Sequence, residues 1–512
     1  MTKVMTGKNE SLNGRATRNV KFLVNKKIVH ALSSANYWSS SEYNSNNAWN
    51  VNFSSGNTNN NNKYNATRVR AVAALDESFK VSFWVAYMDC CRHKLGSMDC
   101  VMFRLNDEAL IDLIFAVHMR LYEPSTSTTF VVKIPKYREI FAAAFVDRIV
   151  QHWIYLRINP LLEQRFIEVG DVSFNCRKYY GTLSAREKLY NDMHHFGFAR
   201  ILSVGKYDIV SFFMTIKLDI MWNLLEPFII ERYHGDDKEM LLYLTKITVF
   251  HRPQDNCVRK GDLSLWDFVI ASKSLFGKDL FEGMAIGNIT TQILANFYLS
   301  FFDEWVLARI ASLGYAEPER HYIRFVDDFV LHSMKAEHII MIFKEAIVWL
   351  KGNLGLQLHL DKIYLQPNCH GVKFIGGVVN KGRKYIVNST VDSFAERLRY
   401  TEDLCRSIVE HGKTEYKLYV LSHCVSSLNS YLGFMVHGKT YNIQKRLMLP
   451  LTYFWKVCYT TKNLSVVKLK KDYKLSNYIF KDEKELQLRL AADYRKRLKR
   501  GRTHRQFRRA RN

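Results

Sequence analysis

The chain is 512 residues long and carries 74 Lys and Arg against 49 Asp and Glu, a formal net charge of +25. Apolar side chains make up 47% and aromatic ones 13%, enough for a packed core, which excludes a wholly disordered chain. The length suits several domains or one multilobed enzyme. The excess of positive charge points to a polyanionic partner, above all nucleic acid. No stretch approaches the ~18 apolar residues of a membrane helix, and the first residues lack the apolar core of a signal peptide. A soluble, cytoplasmic protein with no membrane partner is expected. The nine cysteines are odd in number and include no CxxC pair, so free thiols in a reducing compartment are expected, without zinc.

Residues 1–75 stand apart. From Asn36 to Asn65 twelve of thirty positions are asparagine, interleaved with Tyr37, Trp38, Tyr43, Trp49, Phe53 and Tyr64. Asparagine disfavours helices and strands, so a poorly ordered lead-in is expected there. Helical spacing begins beyond it, in 109–121 and again in 145–166, where Pro160 predicts a break. Short β-prone runs alternate with helical ones from about 196 to 395, as an α+β layer requires. Helix then dominates from 396 to about 460. The last nineteen residues, Tyr494 to Asn512, hold ten Lys and Arg and no acid, a pattern typical of a disordered interaction arm.

Three acids stand in apolar surroundings. In YIRFVDDFVLHS (322–333), Asp327 and Asp328 are flanked by β-prone residues, which predicts two strands and a tight turn with both carboxylates at its tip. Such a pair is repulsive unless a cation sits between its members. Asp236 and Asp237 form a second pair, but in the polar run HGDDKE, read as a solvated turn. Asp208 lies within VGKYDIVSFFMTI (204–216), where an acid must be paired or metal-bound. Together the three suit a two-metal site for in-line phosphoryl displacement, with hard magnesium taking carboxylate oxygens.

These residues fall in an order that resembles the palm of reverse transcriptases: an acid in a strand followed by two phenylalanines, a Gly-led helix start, then aromatic-x-Asp-Asp. The resemblance covers roughly residues 76 to 450. It implies a right-hand polymerase of the α+β class, with fingers at 76–195, palm with a finger insertion at 196–395, helical thumb at 396–470 and a basic tail at 471–512. IPKYREIFAAAFVDRIVQHW (134–153) resembles the finger motif that contacts the incoming triphosphate, with Arg138 at the matching position. NCRKYYGT (175–182) resembles the second finger motif, with Arg177 and Lys178 as candidates. Phe213 matches the steric gate that leaves no room for a 2′-hydroxyl. MAIGNITTQILANFYLSFFDEW (284–305) supplies Ile286, Gly287 and Gln292 as nucleotide-binding candidates. Asn288 or Thr290 is the expected helix cap, and Gly287 is expected to allow close backbone approach to nucleotide or template. Phe325 stands where the family usually has tyrosine. HLDKIYLQP (359–367) resembles the segment whose lysine protonates pyrophosphate, here Lys362. GVKFIGGVV (371–379) resembles the primer-grip hairpin, and 426–447 resembles the thumb.

The resemblance implies metal ligation by Asp208, Ile209, Asp327 and Asp328, with two Mg2+ ions, or Mn2+. The implied partners are template RNA, a primer or cDNA strand and deoxynucleoside triphosphates. Ile286 replaces the usual glutamine, which resembles the subgroup found in diversity-generating retroelements. That subgroup implies a small basic accessory protein and miscopying of template adenines. Asparagine codons begin with two adenines, and residues 37–72 look like a variable lectin-like segment, so residues 1–75 are expected to be translated template repeat. An apolar Ile286 cannot hydrogen-bond a nucleotide, a physical route to low fidelity. The alternatives are a retron or group II intron type of reverse transcriptase, or a non-catalytic, maturase-like RNA-binding protein.

Overall fold

In the computed structural model, the described residues are the segments 36–42, 47–52 and 58–62, and residues 77–474 apart from 93–94, 96, 107, 134–135, 197–201 and 439. Most of the basic tail thus lies outside the described residues. Within the asparagine-rich segment, β1 (Asn36–Glu42), β2 (Asn47–Asn52) and β3 (Thr58–Asn62) form an antiparallel meander, with Trp49 opposite Asn60.

The chain continues through α1 (Glu77–Cys91), α2 (Met98–Leu105), α3 (Ala109–His118), β4 (Ser127–Val132), β5 (Arg138–Ala142), α4 (Phe145–Glu168) and α5 (Thr182–His195). Then come β6 (Ser203–Asp208), α6 (Phe212–Thr215), α7 (Leu218–Arg232), α8 (Lys238–Phe250), β7 (Cys257–Arg259), α9 (Ile289–Ser312), β8 (Tyr322–Phe325), β9 (Asp328–Met334) and α10 (Ala336–Leu354). The last elements used here are β10 (Tyr364–Pro367), β11 (Val372–Phe374), β12 (Gly377–Val379), β13 (Lys384–Ile386), α11 (Asn388–His411) and α12 (Glu415–Met435). Helices with largely antiparallel sheets make this an α+β protein. Among the described residues no helix is long and apolar enough to cross a membrane.

The residues divide into two compact units. The first takes the chain through Gly181, then Lys206–Leu331 and Glu337–Tyr364. Its spine is α4, which buries Ile149, Val150, Trp153, Ile154, Ile158 and Leu162 completely. Burial of each such side chain contributes about 1.5–3 kcal/mol. That packing carries the helix straight through Pro160, where the sequence predicts a break; the missing N–H and ring clash are outweighed by the buried face. The turn at Asp236–Asp237 also differs from expectation. Asp237 accepts from Arg157 Nε at 2.7 Å and Tyr233 Oη at 2.5 Å, tying the α7–α8 connection to α4.

A four-stranded sheet in the order β10-β6-β9-β8 carries the acids. Behind its first-unit strands Tyr207 stacks on Phe343 at 4.6 Å, and Phe329 meets Phe302 at 5.2 Å. This aromatic slab fixes which strand faces point inward, and hence which point to the site. A second, smaller sheet joins β5, β4 and β7, with β4 and β7 parallel.

The second unit takes 182–205, 332–336 and the chain from Leu365. β11 and β12 form a hairpin whose two turn residues, Ile375 and Gly376, have φ of +46° and +73°, the conformation a two-residue turn of this twist requires. α11 and α12 pack through Phe394, Leu398, Ile408, Leu418, Leu421 and Leu428. All nine cysteines are free thiols, and Cys91 Sγ lies 3.4 Å from Cys100 Sγ in the first unit.

Candidate active site

β6 ends at Asp208, and β8 and β9 form the hairpin with Phe325 opposite Asp328, so that Val326 and Asp327 make a two-residue tip. Val326 has φ +56°, costly for a β-branched residue. Side chains hold both of its backbone polar groups. Its N–H donates to Asn175 Oδ1 at 2.8 Å, and its carbonyl accepts from Arg324 Nη1 at 3.1 Å. Asn175 is brought there because residues 172–175 run beside β8: Arg324 N–H donates to Val172 O, and Phe174 N–H donates to Arg324 O. Arg324 is fully buried and forms two hydrogen bonds with Asp303, from Nε at 2.7 Å and Nη2 at 2.5 Å, while Tyr322 Oη donates to Asp303 at 2.8 Å.

Asp208 is fixed from the other side. His359 N–H donates to its carbonyl at 2.9 Å, and Val210 N–H donates to Gln357 O at 2.8 Å. That pairing delivers the turn at Leu360–Lys362, and Lys362 Nζ donates to Asp208 Oδ2 at 2.7 Å. Lys206 Nζ donates to Asp328 Oδ2 at 3.0 Å. Burial, then Asp208 and Asp328, raise the Asp327 carboxyl to about 6, against a lowering by Arg138. Burial also raises Asp328, opposed by Lys206. The three acids therefore share one electrostatic environment although they come from distant segments.

The donor set is all carboxylate oxygen, which suits a hard divalent cation. As the side chains stand, Asp208 and Asp328 are each paired with a lysine, and among the described residues no three acidic, histidine or cysteine side chains are gathered around one point. Ile209, the remaining expected ligand, is buried and pairs through its backbone with Leu358.

The other expected residues divide. Arg138 opens β5, is exposed, and is near enough to exert a small lowering on the Asp327 carboxyl without pairing with it. Phe213 and Ile286 pack on one apolar cluster with Phe141, Met214, Leu275 and Ala285. Gly287, at φ +128°, does make a close backbone approach, but to the protein itself: an added Cβ would sit 2.8 Å from Phe141 O. Gln292 is exposed on the first turn of α9, and Asn288 is the cap residue without a side-chain capping bond. Arg177 is not brought to the carboxylates. Its fully buried side chain, expected to bind nucleotide, instead binds Glu163 at 3.0 Å and Asp171 at 2.7 Å. Lys178 lies over its neighbour Tyr179.

Four residues of the site escaped sequence reasoning. Lys206 had a signal, since strand alternation puts it on the face of Asp208 two residues on. Asn175, Glu139 and Lys273 had none. Glu139 is buried and accepts from Ser274 Oγ at 2.7 Å and Leu275 N–H at 2.9 Å, so Lys273 is carried to the neighbourhood of Arg138.

No family model matches the chain, and no curated protein matches it. Among solved structures it is similar to telomerase from Candida albicans in complex with a TWJ fragment of telomeric RNA, at 12% identity over 64% of this chain and 59% of that one, with a TM-score of 0.37. It is similar also to apo telomerase from Candida tropicalis, at 12% identity over 64% and 58%, with a TM-score of 0.38. The chain spans less than two thirds of the length of either.

Proposed function

We propose that this chain is an RNA-directed DNA polymerase that extends a primer on a template RNA. The observation that carries the reading is that neighbouring strands bring Asp208, at the end of β6, and Asp328, at the start of β9, close enough for Asp208 and Asp328 both to raise the carboxyl of Asp327 at the hairpin tip. Asp208, Asp327 and Asp328, with the carbonyl of Ile209, would hold Mg2+ or Mn2+. When bound, such ions lower the pKa of a primer hydroxyl and neutralise charge on a leaving pyrophosphate. The chain's own residues do the rest. Lys206 and Lys362 neutralise the acids that face them, and divalent ions would free both ammonium groups. Lys362 would then give a proton to pyrophosphate, and Arg138 would hold the triphosphate. The ring of Phe213 would lie beneath the sugar and exclude a 2′-hydroxyl.

Within that reading we place the chain with the mutagenic enzymes of diversity-generating retroelements, copying a template repeat with help from a small basic accessory protein. Ile286 in an apolar cluster with Phe213, where a polar contact to nucleotide is the family's usual arrangement, supports this. Primer extension on RNA tests the main reading. Asp327→Ala should lower the rate by about 10³-fold or more, with thermal unfolding unchanged. A variant as active as wild type, or a wild type that extends nothing, would leave a non-catalytic RNA-binding protein.

A further inference from the structure

Of the segment between α8 and α9, residues 256–283, only Lys273 and Leu275 belong to the site. The segment is firmly built. β7 pairs with β4, Lys260 N–H donates to Thr129 O at 2.8 Å, and Glu139 grips Ser274 and Leu275. A short turn of 3-10 helix, Leu263–Phe268, starts at Asp262, whose carboxylate accepts from Ser264 N–H at 3.1 Å and is anchored inward by buried Leu265. Arg259 lies over the Phe276 ring at 4.3 Å.

This frame presents an aromatic ring outward. Phe268 is 59% exposed, and one of its faces stacks on Tyr137, with centroids 5.1 Å apart and planes 20° apart. Most of its surface is thus left open to solvent. A side chain of this kind leaves the surface apolar unless something covers it. Tyr137 lies between Lys136 and Arg138 in the chain, and the Ser274–Glu139 hydrogen bond at 2.7 Å brings Lys273 close to Arg138; burial and then the nearby Lys136 hold the Lys273 ammonium below its usual pKa. Among the described residues Lys136, Arg138 and Lys273 form no ion pair. An open ring on a rigid mount beside three unpaired cations suits an unpaired base with its phosphates: bases stack on aromatic faces regardless of identity, and cations take the strand's charge.

We propose that Tyr137 and Phe268 form a stacking platform for an unpaired nucleobase, whose phosphates lie on Lys136, Arg138 and Lys273. The proposal deepens the polymerase reading and rests on it for the source of the base, which is either the template just beyond the primer or the incoming nucleotide. Stacking of one base is worth about 5–150-fold in affinity.

The test uses the full chain and a primer lacking a 3′-hydroxyl, so that no chemistry occurs. In one arm 2-aminopurine is the first unpaired template base; in the other it is the base of the added deoxynucleoside triphosphate. Wild type should quench its fluorescence in one arm, which identifies the source. Phe268→Ala should lose the quenching and about tenfold or more in affinity for that ligand, and Phe268→Tyr should restore both. Because Phe268 is largely exposed, the substitution leaves the core intact. Quenching and affinity equal to wild type in Phe268→Ala and in the Tyr137→Ala/Phe268→Ala double variant would overturn the platform, as would no quenching by wild type in either arm. Failure of wild type to extend an unblocked primer, with the Phe268-dependent quenching present, would instead remove the polymerase reading and leave the platform standing.

Discussion

Single residues here owe their roles to what their backbone is made to do. Val326 adopts a left-handed conformation that costs on the order of 1–3 kcal/mol, and Asn175 and Arg324 hold it there. The aromatic-x-Asp-Asp pattern made the acids legible, because an acid pair among β-prone residues demands a reason. Asn175 was not legible, because its partner is 151 positions away. Arg177 illustrates the converse. A basic residue in a finger-like motif suggests nucleotide binding, yet two carboxylates and complete burial claim it. Ile286 is where fidelity is open to measurement. Its side chain lies among Phe141, Met214 and Leu275, with no hydrogen-bonding group to offer a nucleotide. Ile286→Gln should lower misincorporation opposite template adenine by about tenfold or more, read by sequencing extension products. An unchanged error spectrum would remove the fidelity argument.

At the scale of elements, the hairpin β8–β9 depends on an ion pair with almost no access to water. Arg324 is fully buried and Asp303 nearly so. Removing one member strands the other charge, so Asp303→Ala should lose about 3–5 kcal/mol in denaturant unfolding. A loss below about 1 kcal/mol would mean that water or another acid reaches the guanidinium. Periodicity located α3 and the long helices, and the acids located their strands. It misjudged Pro160, since a proline inside a pattern usually ends a helix and only tertiary packing overrides it. The segment 256–283 resisted reading for another reason. Its mount is a buried glutamate on β5, and nothing local to the segment announces a contact so far back in the chain.

For the molecule as a whole, charge is the property most plainly written in the sequence. Residues 494–512 carry ten of the net positive charges, and the remaining chain is still strongly basic. Deleting 494–512 should make nucleic-acid binding less steeply dependent on salt and should weaken it uniformly across sequences, as titrations at several salt concentrations would show. An unchanged slope would mean that the arm touches no phosphate. The path of the chain between its two units was not legible. Residues 182–205 leave the first unit and return to it at Lys206, and hydrophobic periodicity is blind to such an excursion.

The clamp on Val326 also bears on how the protein comes into being on the ribosome. Asn175 emerges long before the turn it steadies, and Lys362 emerges after it. A nascent chain interrupted anywhere short of Lys362 has no finished centre, however well its early helices have condensed. The arrangement around Asp208 and Asp328 therefore closes late in synthesis and all at once.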